Sequence, residues 1–242
     1  MSRPQRFSYA HALHHVTLRC NNREFLFSVR SCELFVAILQ EARGAFNLEL
    51  YNYCLMTNHV HLLFSVGRDD ALSRAMHWIS STFSHRSSKL AGRHGHLWEG
   101  RFRSTIVDAN AYFLRCMAYV DLNPVRAKMV VTPLEYRWPG HRALRDEDTA
   151  VLDLHPRYVA SGADARSRYS AYTRFLADEA KRAPFSLATK YLVGSPRFVA
   201  GMEKKFALDE KGAWLTRETL CADDMSPVIS TGPRLGGMIE PH

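Results

Sequence analysis

The order of apolar and polar positions predicts alternating strands and helices over the first half of the chain. Residues 12–20, "ALHHVTLRC", have the β-branched and apolar character of a strand, and Asn21-Asn22 follows as turn chemistry. A helix is predicted over 31–43, where Ser31 can cap, Leu34, Phe35, Ile38 and Leu39 recur at helical spacing, and Gly44 can end it. Residues 48–56 and 59–66 predict a hairpin turning at Thr57-Asn58. Residues 70–90 predict a long helix with Leu72, Met76, Ile79 and Phe83 inward, and a glycine-broken basic loop, "AGRHGHLWEGRFRS", follows at 91–104. A short strand at 105–107 leads to a third helix that Asn110 can cap and Pro124 should stop near Asn123.

The resulting order, β-α-β-β-α-β-α with a central hairpin, predicts an α+β fold, a ferredoxin-like antiparallel sheet with helices packed on it. Beyond residue 145 the character changes. An acidic connector precedes two helical stretches, "SRYSAYTRFLADEAKRA" and "SPRFVAGMEKKFALDE", and the tail from Met225 is rich in Pro, Gly and Ser. The expected organisation is a catalytic domain over 1–145, a small helical extension over 146–224 and a mobile tail over 225–242.

Alternation along the second hairpin strand carries the first chemistry. Val60, Leu62, Phe64 and Val66 point one way, and His59, His61, Leu63 and Ser65 the other. Two imidazoles on one face can bind a single divalent ion, although the same spacing also fits a satisfied or surface pair. On the third helix Tyr119 and Asn123 stand four residues apart and face the same way. If that helix covers the histidine face, His59, His61 and Asn123 could hold an ion against a phosphodiester while the Tyr119 oxygen attacks phosphorus. Helical spacing alone favours an amphipathic core tyrosine over a nucleophile. His94 and His96 repeat the H-x-H spacing in the glycine-broken loop, where contact with a phosphate backbone is the better reading. His11, His14, His15, His85, His141 and His155 have no ligand spacing and read as surface or core histidines.

Charge sharpens the picture. The chain of 242 residues carries a net charge of +8. Residues 1–145 hold 19 Lys/Arg against 10 Asp/Glu, a net of +9, whereas 146–242 hold 13 against 14. A polyanion such as nucleic acid would be drawn to the first part. The five cysteines are odd in number and widely spaced, which argues against a disulfide framework or a cysteine zinc site. No apolar run is long enough for a membrane helix, and the expected location is the cytoplasm.

Four blocks in order then identify a resemblance. "LMTNHVHLLF" at 55–64 resembles the histidine-hydrophobic-histidine (HUH) motif of single-strand DNA nucleases, and "AYVDLNPVRAKMV" at 118–130 is similar to the tyrosine-helix signature of single-tyrosine insertion-sequence transposases. More narrowly, "HVTLRCNNREFLF" at 15–27 and "GHLWEGRFRST" at 95–105 look like REP-associated tyrosine transposases, with Cys20, Glu99 and Asp121 departing from the usual pattern. The resemblance implies an HUH nuclease fold and a metal-dependent enzyme, with Mg or Mn, that cleaves and rejoins single-stranded DNA at hairpin-forming repeats through a 5′-phosphotyrosine. It makes Tyr119 the nucleophile and His59, His61 and Asn123 the metal ligands. Arg19, Arg93, His96, Trp98, Arg101, Phe102, Arg103 and Arg126 are the expected DNA contacts, with Trp98 and Phe102 available for stacking or backbone contact. The alternatives are a non-cleaving hairpin or single-strand binding protein on the same scaffold, and a small-molecule metalloenzyme. Monomer or homodimer is left open.

Overall fold

The computed structural model describes residues 7–21, 27–92, 94–182, 187, 190–206, 216–218 and 228–231. Its centre is a sheet that contains β1 (Leu13–Arg19), β2 (Leu48–Leu55), β3 (His59–Val66) and β4 (Arg103–Val107), with β2 at one edge. The strand order is β2-β3-β1-β4-β5-β7-β6, with β5 at Lys190–Gly194, β6 at Thr216–Glu218 and β7 at Val228–Thr231. Every pairing is antiparallel except β4 with β5. The α+β architecture expected from the alternation is present, and the one parallel pairing makes the sheet mixed.

Helix α1 (Val29–Phe46) begins where the Ser28 hydroxyl accepts from Ser31 N–H, so the cap is Ser28 and not Ser31. The helix runs through Gly44 and stops at Asn47, whose left-handed φ of 49° closes the last turn. Cys32, Phe35, Ile38, Leu39 and Ala42 form its buried face. Helix α2 (Ala71–Ala91) buries Leu72, Met76, Ile79 and Phe83, and Gly92 ends it at φ 60°. The two helices pack on each other, Phe35 against Phe83 at 5.0 Å between ring centroids. Tyr53, which shares a sheet face with Leu62, lines a groove with Val36 and Ala37 of α1.

The opposite sheet face takes α3 (Phe113–Asp121). Asp108, not Asn110, supplies the turn before it, its carboxylate accepting from the N–H groups of Asn110 and Ala111. Pro124 ends α3 as expected. Instead of leaving a loop it opens a further turn, α4 (Asn123–Arg126). The chain then passes through α5 (Gly140–Arg145), α6 (Pro156–Val159), α7 (Ala165–Lys181) and α8 (Pro196–Lys205). Two of these are the helices expected in the extension. That expectation had no strand there, yet β5 runs along β4, and the buried Leu152, Tyr172, Leu176 and Val193 join the core that contains Val60 and Leu62. β7 falls within the stretch expected to be mobile, and the remainder of 225–242 lies outside the described residues. Among the described residues no helix is long and apolar enough to cross a membrane.

Candidate active site

Register decides which side chains meet. β3 lies beside β1 with Arg19 opposite His59, Thr17 opposite His61 and His15 opposite Leu63. Residues directly opposite share a face, so His59, His61, Arg19 and His15 all point toward α3. The His59 and His61 rings lie 4.9 Å apart between centroids. The His15 and His61 rings are nearly parallel, 5.2 Å apart between centroids, and His15 Nε2 is 3.0 Å from His61 Nδ1. The Tyr119 ring meets both edge-on, 5.4 Å from His15 and 5.8 Å from His61.

The strand histidines are in the form a metal requires. Burial, with a smaller push from Arg19, holds His59 down to about 4. His61 is held well below the usual imidazole range by burial first and by its neighbours His15, His59 and Arg19 after it. Both are therefore neutral at neutral pH. Asn58 Oδ1, which can only accept, lies 2.8 Å from His59 Nδ1; the proton sits there and Nε2 keeps its lone pair. His61 Nε2 is buried with no hydrogen-bond partner, a costly arrangement that an ion would relieve. Among the described residues no three His, Cys, Asp or Glu side chains are arranged to hold one ion. A third protein ligand would have to come from another residue type, such as an amide.

Asn123 is the amide in question, and its side chain already has work. Pro124 cannot donate to Val120 O, and the Asn123 Nδ2 donates to Tyr119 O at 2.7 Å and to Val120 O at 3.4 Å. The nitrogen end thus caps α3, and only the oxygen end is suited to an ion. Tyr119 is half-buried, and burial raises its phenol while Arg126 opposes that shift. The Arg126 guanidinium lies over the Tyr119 ring, and its Nη1 is buried without a partner.

What holds α3 in place is a buried polar network the sequence did not announce. Asn52 of β2 donates to Met117 O at 3.3 Å and to Asp121 Oδ1 at 3.0 Å. The Tyr172 hydroxyl of α7 donates to Asp121 Oδ2, and His141 of α5 lies 3.5 Å from that oxygen. Glu179 of α7 reaches Arg115 of α3 at 3.4 Å. The C-terminal helices therefore buttress the helix that carries Tyr119.

Of the expected DNA contacts, Arg19, His96, Arg101 and Arg103 are exposed, and Arg93 lies outside the described residues. The basic loop is stitched to the end of β1, with Asn21 N–H on Leu97 O at 2.8 Å and Glu99 N–H on Arg19 O at 3.0 Å, one strand from His59. Trp98 and Phe102, the rings expected to stack on bases or to contact the backbone, pack against protein in this structure. Trp98 packs on Phe83 at 5.6 Å and donates its indole N–H to Ser80 O at 3.0 Å, and Phe102 is buried in the core. Both rings already fill positions against protein. His15 is the residue the sequence missed, because nothing local distinguishes it from His14. His14 points to the other face and is satisfied by Ser8 and Ser104.

The site thus consists of paired histidines on one face of the mixed sheet of an α+β fold, covered by a helix that bears a tyrosine. The model of the IS200-like transposase family matches residues 8–123. Among solved structures, the chain is similar to a REP-associated tyrosine transposase bound to a REP hairpin, with 17% identity, TM-score 0.52, and coverage of 68% of this chain and 93% of that one. A candidate transposase from Deinococcus radiodurans aligns with 16% identity over 53% of this chain and 92% of its own, at a TM-score of 0.37. A search of the curated proteins found no significant match.

Proposed function

We propose that this protein cleaves and rejoins single-stranded DNA at hairpin-forming repeats, as a REP-associated tyrosine transposase, through a 5′-phosphotyrosine on Tyr119. The observation that carries this reading is the buried, unpartnered Nε2 of His61, in a ring 5.8 Å from that of Tyr119. His59 and His61 would hold a divalent ion, Mg or Mn, with the Asn123 oxygen as third ligand. The ion, when bound, would neutralise phosphate oxygens and so stabilise the charge of the transition state.

The chain's own residues do the rest. The Tyr119 oxygen bonds to phosphorus as its proton passes to solvent, and the P–O3′ bond breaks to leave a 3′-hydroxyl that takes up a proton. Arg126 favours the phenolate and offers Nη1 to a phosphate oxygen. Arg19, His96, Arg101 and Arg103 would track the backbone of the strand beside the site. In this reading the reacting groups lie before residue 145, and Tyr172 and Glu179 from beyond it help to hold α3.

The test is a denaturing gel of the protein with labelled single-stranded hairpin oligonucleotides, with Mn or Mg, with chelator, and with Tyr119→Phe. A protein-linked band that needs both metal and Tyr119 is expected, with DNA binding by Tyr119→Phe nearly unchanged. Tight binding without such a band would favour the non-cleaving alternative.

A further inference from the structure

Each strand histidine has its Nδ1 engaged, but by very different partners. His59 uses a neighbour in sequence, the Asn58 amide. His61 uses a residue 46 positions away, His15, on the adjacent strand. A hydrogen bond between two imidazoles has two possible directions. If His15 Nε2 donated, His61 would have to carry its own proton on Nε2, leaving a buried N–H with nothing to accept it. If His61 Nδ1 donates, Nε2 is a bare lone pair instead. The second arrangement presents a ligand atom, and the first presents a proton to any arriving cation.

We infer that His15 is a positioning residue: it accepts the Nδ1 proton of His61, locks that ring in the tautomer with a free Nε2, and holds its plane through that bond between nearly coplanar rings. The inference rests on the reading of His59 and His61 as metal ligands. Geometry supports it on three counts. The two nitrogens are 3.0 Å apart, and the rings are tilted by only 19°. The His15 ring also touches the Tyr119 ring edge-on, so one side chain contacts both the proposed ligand and the proposed nucleophile. Both His15 and His61 are buried, so water is a poor substitute for either partner. Ordinary packing would not need the second nitrogen of His15, and a phenylalanine of similar shape would serve.

The experiment is a Mn2+ titration of the full-length protein followed by electron paramagnetic resonance, with wild type, His15→Phe, His15→Gln and His61→Ala. His15→Phe keeps the ring and removes the acceptor, and a weakening of about 10- to 100-fold is expected. His15→Gln places an amide oxygen near the former Nε2 and is expected to recover affinity to within a few-fold of wild type. A His15→Phe protein that binds Mn2+ as tightly as wild type overturns the inference. Long-range proton–nitrogen NMR of the metal-free wild type gives a second readout. The Nδ1–H tautomer of His61 is expected, and an Nε2–H tautomer overturns the inference even if His15→Phe does not fold. Should wild type bind no Mn2+, or bind it equally after His61→Ala, the metal reading itself fails, and the tautomer still decides the role of His15.

Discussion

The Arg126 guanidinium carbon lies 5.6 Å from the centroid of the Tyr119 ring, and its Nη1 is buried with no partner. Burial weakens the cationic form of Arg126, and Tyr119 and Glu179 act against that. A cation held here lowers the cost of forming a phenolate and keeps one donor in reserve. Arg126→Ala is expected to slow single-turnover cleavage by about 100- to 1,000-fold, the range seen when a donor to developing charge is removed. Its effect on hairpin affinity should be much smaller. The pH–rate profile is the sharper check: the rise in rate attributed to Tyr119 ionisation should move to higher pH in Arg126→Ala. A profile that stays put would exclude a link between the two side chains.

Gly140 sits where a β-carbon would run into Asn52 Oδ1 and crowd Tyr53 N. Asn52 in turn holds Met117 and Asp121 of α3. Gly140→Ala should therefore cost about 1–3 kcal/mol in urea unfolding, the usual penalty for overpacking. It should also reduce cleavage, although residue 140 lies outside the reacting groups. Asp121→Ala strands the Asn52 and Tyr172 donors and should cost at least as much.

Two buried imidazoles make stability depend on acid. Burial holds His14 and His15 down to about 3, against about 6.5 in the unfolded chain. Their folded-state values are lowered, so their contribution is complete above about pH 6.5. It is lost as pH falls toward 3, because the unfolded chain takes up protons that the folded one does not. The slope should approach about 1.4 kcal/mol per pH unit for each ring between pH 6 and 4. Urea unfolding at pH 7.5, 6.0 and 5.0 measures it, and equal stability at all three would show that these rings titrate normally.

Trp98 offers a check on the basic loop. Its indole N–H is used by Ser80 O, and its ring packs on Phe83 and, at 6.5 Å, on Phe27. Trp98→Phe should cost about 1 kcal/mol of stability for the lost hydrogen bond while leaving oligonucleotide affinity nearly unchanged. Arg101→Ala should do the reverse, flattening the salt dependence of binding by about one unit of slope with little effect on stability. Loss of binding in Trp98→Phe without loss of stability would restore the stacking role.

Legibility followed the range of the interactions. The face shared by His59 and His61 was readable because strand alternation is set within one strand. The pairing of Tyr119 with Asn123 was readable in outline, since four residues make about one helical turn, but the cap that Asn123 forms depended on a proline's missing N–H. Helix boundaries slipped where a competing residue was a better terminator, as when Asn47 closed α1 and Gly44 did not.

By itself, the sequence determined the sheet-and-helix alternation, the histidine pair on one face, the tyrosine helix and the basic first part, all of which follow from backbone periodicity and residue chemistry. Only the tertiary structure decided that His15 joins His61 while its neighbour His14 does not, because that choice comes from the register of β1 against β3. It likewise decided that Trp98 packs inward and that Asp121 ties α3 to α7, since both depend on which elements the folded chain brings side by side. Local periodicity fixes the direction in which a side chain points, and only long-range pairing fixes what it finds there.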